Sequence, residues 1–225
     1  MKRVVIPELL DDDLGSADEI RDSLLDLRGI NRNFGGFASV GRLIESVAQR
    51  CQKNSLALLD VAGGTGDVVS NLVQQLAGKV QLRAAILDRA LTHMNGTREK
   101  FSRVAGDALQ LPFASGSFDV VSCNLFLHHL EPEQIVAFFN EALRVARLAV
   151  VVSDLRRSRF HWVAAHIGKL IYRSRLTRHD APVSIRRAYT IAEARTLAQK
   201  SKASSFGVEL HYFQRFGLIL WKEPK

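Results

Sequence analysis

The 225-residue chain holds only two cysteines, two tryptophans, two methionines and five prolines. Cys51 and Cys123 stand in different segments, one helix-like and one strand-like. They offer neither a disulfide framework nor a metal-ligand spacing, so a reducing cytoplasm is the expected compartment. Long apolar runs are missing too. Runs such as residues 56–59 and 148–152 fall far short of the roughly 20 residues that a bilayer-spanning helix needs. No sustained apolar stretch precedes Asp11, Asp12 and Asp13, and no secretory signal is expected. Internal repeats and low-complexity tracts are absent. No spacing of carboxylates and histidines suggests a metal, and none is expected.

What is present describes a globular α/β chain. Hydrophobic residues make up 47%, and mean hydropathy is near zero at −0.01. The length suits one domain with a small lid. The net charge of +8 is concentrated. Arg156, Arg157, Arg159, Lys169, Arg173, Arg175, Arg178, Arg186 and Arg187 face Asp180 alone within residues 156–187, and the rest of the chain is neutral.

Ser16 with Glu19 three residues on is a capping box, followed by Ile20, Leu24 and Leu27 at helical spacing. Residues 31–36 break that helix, and residues 40–51 read as a second amphipathic one. From residue 55 strands and helices alternate: strand 56–61, helix 67–76, strand 80–87, a helix from Arg89, strands 101–105 and 118–123, helix 131–146 and strand 148–153. Such alternation predicts a mostly parallel sheet covered on both faces. The rhythm then stops. Residues 160–172 look helical, 174–189 irregular and basic, and 190–200 helical again. Residues 203–212 and 215–221 are strand-like and close enough to form a hairpin. The predicted organisation is an N-terminal helical cap over 1–53 and a core over 54–225, with a basic lid insertion at about 155–188.

Asp60, Ala62, Gly63, Gly64, Thr65 and Gly66 form a glycine-rich turn between a strand and a helix. In a parallel sheet this is the crevice where ligands bind. Glycine lets backbone approach a ligand closely, and the helix N-terminus favours an anion. A tight strand-to-helix turn without a ligand is the plain alternative. The dinucleotide fingerprint fails, because Val69 stands where its third glycine belongs, and no P-loop lysine follows. Instead, Asp88 (beside Arg89) ends the next strand, where an acid can accept from both ribose hydroxyls. Gly106, Asp107 and Ala108 end the third, where an acid could meet an adenine amino group. Three acids at successive strand ends, without a phosphate clamp, suit a nucleoside that carries a zwitterionic amino acid.

The run from Asp60 to Asp67 resembles motif I of class I S-adenosylmethionine-dependent methyltransferases, closest to that of the ubiquinone/menaquinone C-methyltransferases. Residues 106–121 resemble the approach to that family's fourth strand. The resemblance covers residues 56–153. It implies a Rossmann-like seven-stranded sheet with an antiparallel last strand, and S-adenosylmethionine as cofactor with S-adenosylhomocysteine as product. It further implies that Asp60 and Gly64 contact the methionine part, Asp88 the ribose, and Asp107 with Ala108 the adenine. Two departures concern the acceptor. Residues 144–147 replace the usual Pro-Gly-Gly turn, and Asn124, Leu125 and the residues after them differ from the quinone enzymes. Residues 31–36 and 178–182 resemble bacterial small-molecule methyltransferases, some of them associated with polyketide or aromatic pathways.

Methyl transfer to oxygen or an activated ring carbon can need a base, and histidine titrates near working pH. His129 and His128 follow strand four at the crevice mouth; His179 beside Asp180 is the rival. Each also has a structural alternative, as a turn or solvated residue. Arg32, in the break between the first two helices, could pair with the donor's carboxylate; a solvated loop arginine is its alternative. His161 and His166 read as surface or core-edge residues. The basic segment suits an acidic, lipidic or carrier-tethered acceptor, peripheral membrane contact, or RNA, though no RNA-binding module accompanies it. The expected function is methylation of a small aromatic, polyketide-like or quinone-like acceptor. An RNA or tRNA methyltransferase and a non-catalytic donor-binding protein are the alternatives.

Overall fold

The computed structural model describes residues 1–11, 14–90 and 101–223. The helix expected from Arg89 falls largely outside these residues. Helix α1 spans Ala17–Asn33, and both halves of its Ser16/Glu19 capping box form. The break after it is shorter than expected: Gly35, at φ 75°, turns the chain directly into α2, Gly36–Arg50. Strands β1 (Ser55–Val61), β2 (Gln81–Asp88), β3 (Ser102–Ala105), β4 (Phe118–Asn124) and β5 (Ala146–Leu155) follow, with α3 (Asp67–Gln75) after β1 and α4 (Pro132–Val145) before β5. Then come α5 (Arg159–Gly168), α6 (Arg175–Arg187), α7 (Ile191–Gln199), β6 (Ser205–His211) and β7 (Arg215–Trp221).

The sheet order is β3-β2-β1-β4-β5-β7-β6. Strands β1 to β5 pair in parallel, whereas β7 runs antiparallel to both β5 and β6. The order reverses between β1 and β4, which opens a crevice at their carboxyl ends. On one face α2 and α3 bury Val40, Leu43, Ile44, Val47 and Leu72 against Leu58, Val120 and Val151. On the other, α4 and α7 bury Phe138, Phe139 and Leu197 against Val121, Val150 and Leu218. Strands covered on both faces read as continuous apolar runs, which is why β1, β4 and β5 were legible. No helix among the described residues is long and apolar enough to cross a membrane.

Residues 174–189 are corrected from irregular to helical. Ser174 caps α6 by accepting from the Leu176 N–H, and Pro182 sits inside the helix. The buried face includes Leu176, Thr177, Asp180, Val183, Ser184 and Arg187. Its spacing is helical, but half of it is polar, so hydrophobic periodicity could not reveal it.

Candidate functional site

The carboxyl ends of β1, β2, β3 and β4 open into one cavity of about 710 Å³, within the range of small-molecule sites. Ala62, Gly63, Gly64 and Thr65 line it after β1; Asp88 and Arg89 after β2; Gly106, Asp107 and Ala108 after β3; Asn124 and Leu125 at the end of β4. Gly63 is packed so closely that a Cβ there would lie 2.7 Å from Ile86 Cγ2. Ala62 (φ 56°) and Leu125 (φ 55°) both adopt the left-handed region, uncommon without glycine and concentrated at functional sites.

Asp88 ties two loops together. Its Oδ2 accepts from the Gly64 N–H at 2.8 Å and its Oδ1 from the Ala90 N–H at 2.9 Å. Asp107 Oδ1 accepts from the Leu109 N–H at 2.8 Å. Asp60 does not line the cavity. It is buried beneath the glycine loop, where the Ser122 hydroxyl donates to it at 2.6 Å. Burial pushes its carboxyl up to about 7, against that hydrogen bond and aided by the charge of Asp88. Gly66 likewise supports rather than lines, starting α3 from φ 80°.

His128 and His129 occupy one 3-10 turn, Leu127–His129, after β4, and both line the cavity. His128 is buried, with Nδ1 2.7 Å from Asp154 Oδ1. Burial alone would raise the Asp154 carboxyl; the His128 imidazole outweighs it and holds the group below its ordinary value. His129 Nδ1 lies 3.0 Å from Asp11 Oδ2. Burial opposes ionisation of Asp11 as well, yet His129 and Arg187 keep it lowered. The two imidazoles lie 4.2 Å apart between centroids, tilted by 37° to one another. Arg187 anchors their turn, donating to the carbonyls of His128 and His129, each at 3.2 Å.

Glu8 comes in from the N-terminal strap, its Oε1 3.8 Å from His128 Nε2 and 3.6 Å from Arg187 Nη1. Burial pushes its carboxyl up to about 7. Glu8, His128 and His129 each bring a ligand atom within 4.8 Å of the others. The expectation of no carboxylate–histidine cluster is thereby corrected: long-range folding builds one from residues that sequence spacing keeps apart. Two imidazoles and a carboxylate could hold a divalent cation, but the Arg187 guanidinium already supplies positive charge there.

Two expected residues are not in the site. Arg32 is exposed on α1 and does not line the cavity, because its neighbour Asn31 takes the inward position. His179 hydrogen-bonds Asp180 at 2.8 Å, but its side chain is 41% exposed and off the cavity wall. Arg215 and Asn31 take the inner position instead. Arg215 is 1% exposed, donates from Nη2 to Asn31 Oδ1 at 3.0 Å, and has no hydrogen-bond partner for Nη1 among the described residues. Asn124 Nδ2 donates to the same Asn31 oxygen at 3.3 Å, and Asn124 Oδ1 has no hydrogen-bond partner among the described residues. Burial lowers the Arg215 guanidinium to about 10, although Asp154 pulls the other way. His161 also lines the cavity, and burial lowers it to about 4. Sequence reasoning missed Glu8, Asp11, Asn31, Asp154, Arg187 and Arg215. Asp154 could have been found, since it stands near the end of β5 as the other acids end their strands.

The glycine loop, the acids at three strand ends and the reversed strand order resemble those of class I S-adenosylmethionine-dependent methyltransferase domains. Residues 58–148 match the family model described as "Methyltransferase domain". Demethylmenaquinone methyltransferase of Roseiflexus castenholzii is 34% identical over 122 residues, 52% of this chain and 50% of that one. Ubiquinone/menaquinone biosynthesis C-methyltransferase UbiE of Cereibacter sphaeroides is 32% identical over 99 residues, 40% of this chain and 38% of that one. The chain thus spans about half the length, or less, of these curated relatives. Among solved structures, the plantazolicin methyltransferase BpumL, in complex with a pentazolic desmethylPZN analog and SAH, shares the fold. Its TM-score is 0.71 at 12% identity, covering 96% of this chain and 95% of that one. A SAM-dependent methyltransferase from Aquifex aeolicus gives a TM-score of 0.54 at 15% identity, covering 78% of this chain and 88% of that one. The chain is related to the menaquinone and ubiquinone methyltransferases across its central strands, and shares its wider fold with the plantazolicin enzyme.

Proposed function

We propose that this chain transfers the methyl group of S-adenosylmethionine to a small, largely apolar acceptor of aromatic, quinone-like or polyketide-like kind. One observation carries the proposal: the glycine loop and two carboxylate-paired imidazoles face the same cavity. Asp88 is assigned to the ribose and Asp107 with Ala108 to the adenine. Ala62 to Thr65 would pass under the sulfonium-bearing chain, with Asp60 holding their loop from below. Arg215 replaces Arg32 as the partner of the donor's carboxylate. A buried guanidinium without a close carboxylate is costly unless an anion meets it. The orphaned Asn124 Oδ1 beside it is suited to the donor's ammonium.

The displacement at the methyl carbon is in line, so positioning supplies much of the rate. If His128 donates Nδ1–H to Asp154, its Nε2 is left as a base, oriented as a buried carboxylate orients a catalytic imidazole. For a hydroxyl acceptor, the O–H proton passes to His128 Nε2 as the oxygen bonds the methyl carbon. The carbon–sulfur bond breaks, its electron pair returns to sulfur, and S-adenosylhomocysteine leaves. His129, which shares the wall with Phe126, is the second candidate. The relatives named for quinone substrates support an apolar acceptor. The RNA alternative is weakened because two of the nine cations, Arg157 and Arg187, are buried inside the protein.

The test is incubation with S-adenosylmethionine and a panel of hydroxylated aromatics, naphthoquinols and polyketide-like phenols, followed by mass spectrometry for a gain of one methyl. An acceptor from this panel should be methylated. With it, His128→Asn should lower turnover by about 10² or more while S-adenosylhomocysteine still binds. Methylation of tRNA, with every small acceptor inert, would contradict the proposal.

A further inference from the structure

The cations of residues 156–187 separate in the fold. Arg157 and Arg187 are buried. Arg157 donates to the Ala188 carbonyl and pairs with Glu193, and Arg187 holds the histidine turn. Arg156 donates to Gln214, Arg175 pairs with Glu19, and Arg178 donates to the Tyr172 carbonyl. Arg159 and Arg173 are exposed and Lys169 partly so, and among the described residues none of the three has a carboxylate in salt-bridge range. They stand at the two ends of α5.

Between them α5 is largely apolar, with His161 toward the cavity and His166 exposed. Toward the protein, His161, Ala164, Ala165 and Gly168 line the cavity. Away from it, Phe160, Val163 and Ile167 are 64%, 50% and 65% exposed, and Leu170 and Ile171 in the next turn are 85% and 72% exposed. Their spacing puts them on one side, and the Phe160 ring meets Phe213 of the β6–β7 hairpin, where Leu210 and Tyr212 are also exposed. A contiguous exposed apolar side of this kind marks a contact surface. Large exposed apolar side chains between basic residues are the pattern of a helix lying in a lipid interface.

We propose that α5 and the turn after it dock on an anionic lipid bilayer. The five apolar side chains enter the acyl boundary, and Arg159, Lys169 and Arg173 meet the headgroup phosphates. RNA would offer aromatic faces and phosphates, but valine, leucine and isoleucine give bases nothing to stack on. A second copy of the chain would bring two sets of unpaired cations together. The bilayer satisfies both the apolar side and the charge. Ile171 lies at once on the exposed side and on the cavity wall, so docking would set the cavity mouth at the lipid surface. That consequence rests on the apolar-acceptor proposal; the docking itself does not, and vesicle binding and turnover are measured separately, so either can fail alone.

The test is flotation of the full chain with vesicles of phosphatidylcholine containing a minority of phosphatidylglycerol. A Trp221→Phe background leaves Trp162 of α5 as the sole tryptophan. The chain should float with these vesicles, Trp162 emission should shift to the blue, and binding should weaken in high salt. The double variant Ile167→Asp/Leu170→Asp should bind on the order of tenfold more weakly or worse, and Arg159→Glu/Arg173→Glu should lose the preference for anionic lipid. S-adenosylhomocysteine affinity of each variant checks that the fold is intact. Three results would overturn the proposal: no flotation of the parent chain, undiminished flotation of the aspartate variant, or a parent dimer that this variant converts to monomer.

Discussion

Glu8 sits with Oε1 lacking a hydrogen-bond partner among the described residues, faced by His128, His129, Asp11, Arg187 and Ser184, and burial lifts its carboxyl from an ordinary 4.5 to about 7. Between those values the folded chain keeps a proton that the unfolded chain has lost. The resulting stability is fully present below pH 4.5 and is lost as pH rises through 7. Glu8→Gln removes this dependence. Urea unfolding at pH 5 and pH 8 should show the parent losing on the order of 2 kcal/mol more than the variant over that interval; parallel losses would mean that Glu8 is ionised in the fold. Residues of this kind were not legible. Acids ending strands could be read because strand and crevice are local signals. Glu8 and Arg215 reach the cavity only through tertiary contacts, and nothing near either in sequence marks it. Arg32 was chosen for its place in a helix break, but Asn31, one position back, faces inward.

At the level of elements, α6 does most to assemble the cavity wall around the two histidines. Its Asp180 accepts from the backbone N–H groups of Leu9 and Leu10 at 2.9 and 3.1 Å, pinning the strap that carries Glu8 and Asp11. Its Arg187 fixes the histidine turn, and Ser23 of α1 hydrogen-bonds Thr177 at 3.0 Å. Asp180→Ala should loosen the strap. Hydrogen exchange at Val4, whose N–H donates to the Arg186 carbonyl at 3.1 Å, should accelerate about tenfold, while exchange in β1 and β4 stays slow. Unchanged protection at Val4 would mean that the strap is held by other contacts. Polar side chains on its buried face hid this helix from the sequence. The capping boxes of α1 and α7 were local and complete, and only the first was recognised in advance.

At the scale of the molecule, the parallel order and the switch between β1 and β4 bring loops distant in sequence to one cavity. The strand–helix alternation of residues 55–153 made that half legible, because each unit repeats the same short-range pattern. The rest of the cavity depends on how α5, α6 and the N-terminal strap fold over the sheet, and that arrangement has no repeating signature. The central claim is that the strand ends and the inward-facing Arg215 form one donor site. Calorimetric titration with S-adenosylhomocysteine tests it directly. The chain should bind one equivalent, and Asp88→Ala and Arg215→Met should each weaken binding by on the order of 1–3 kcal/mol. No binding by the parent chain, or unaltered affinity in both variants, would contradict it.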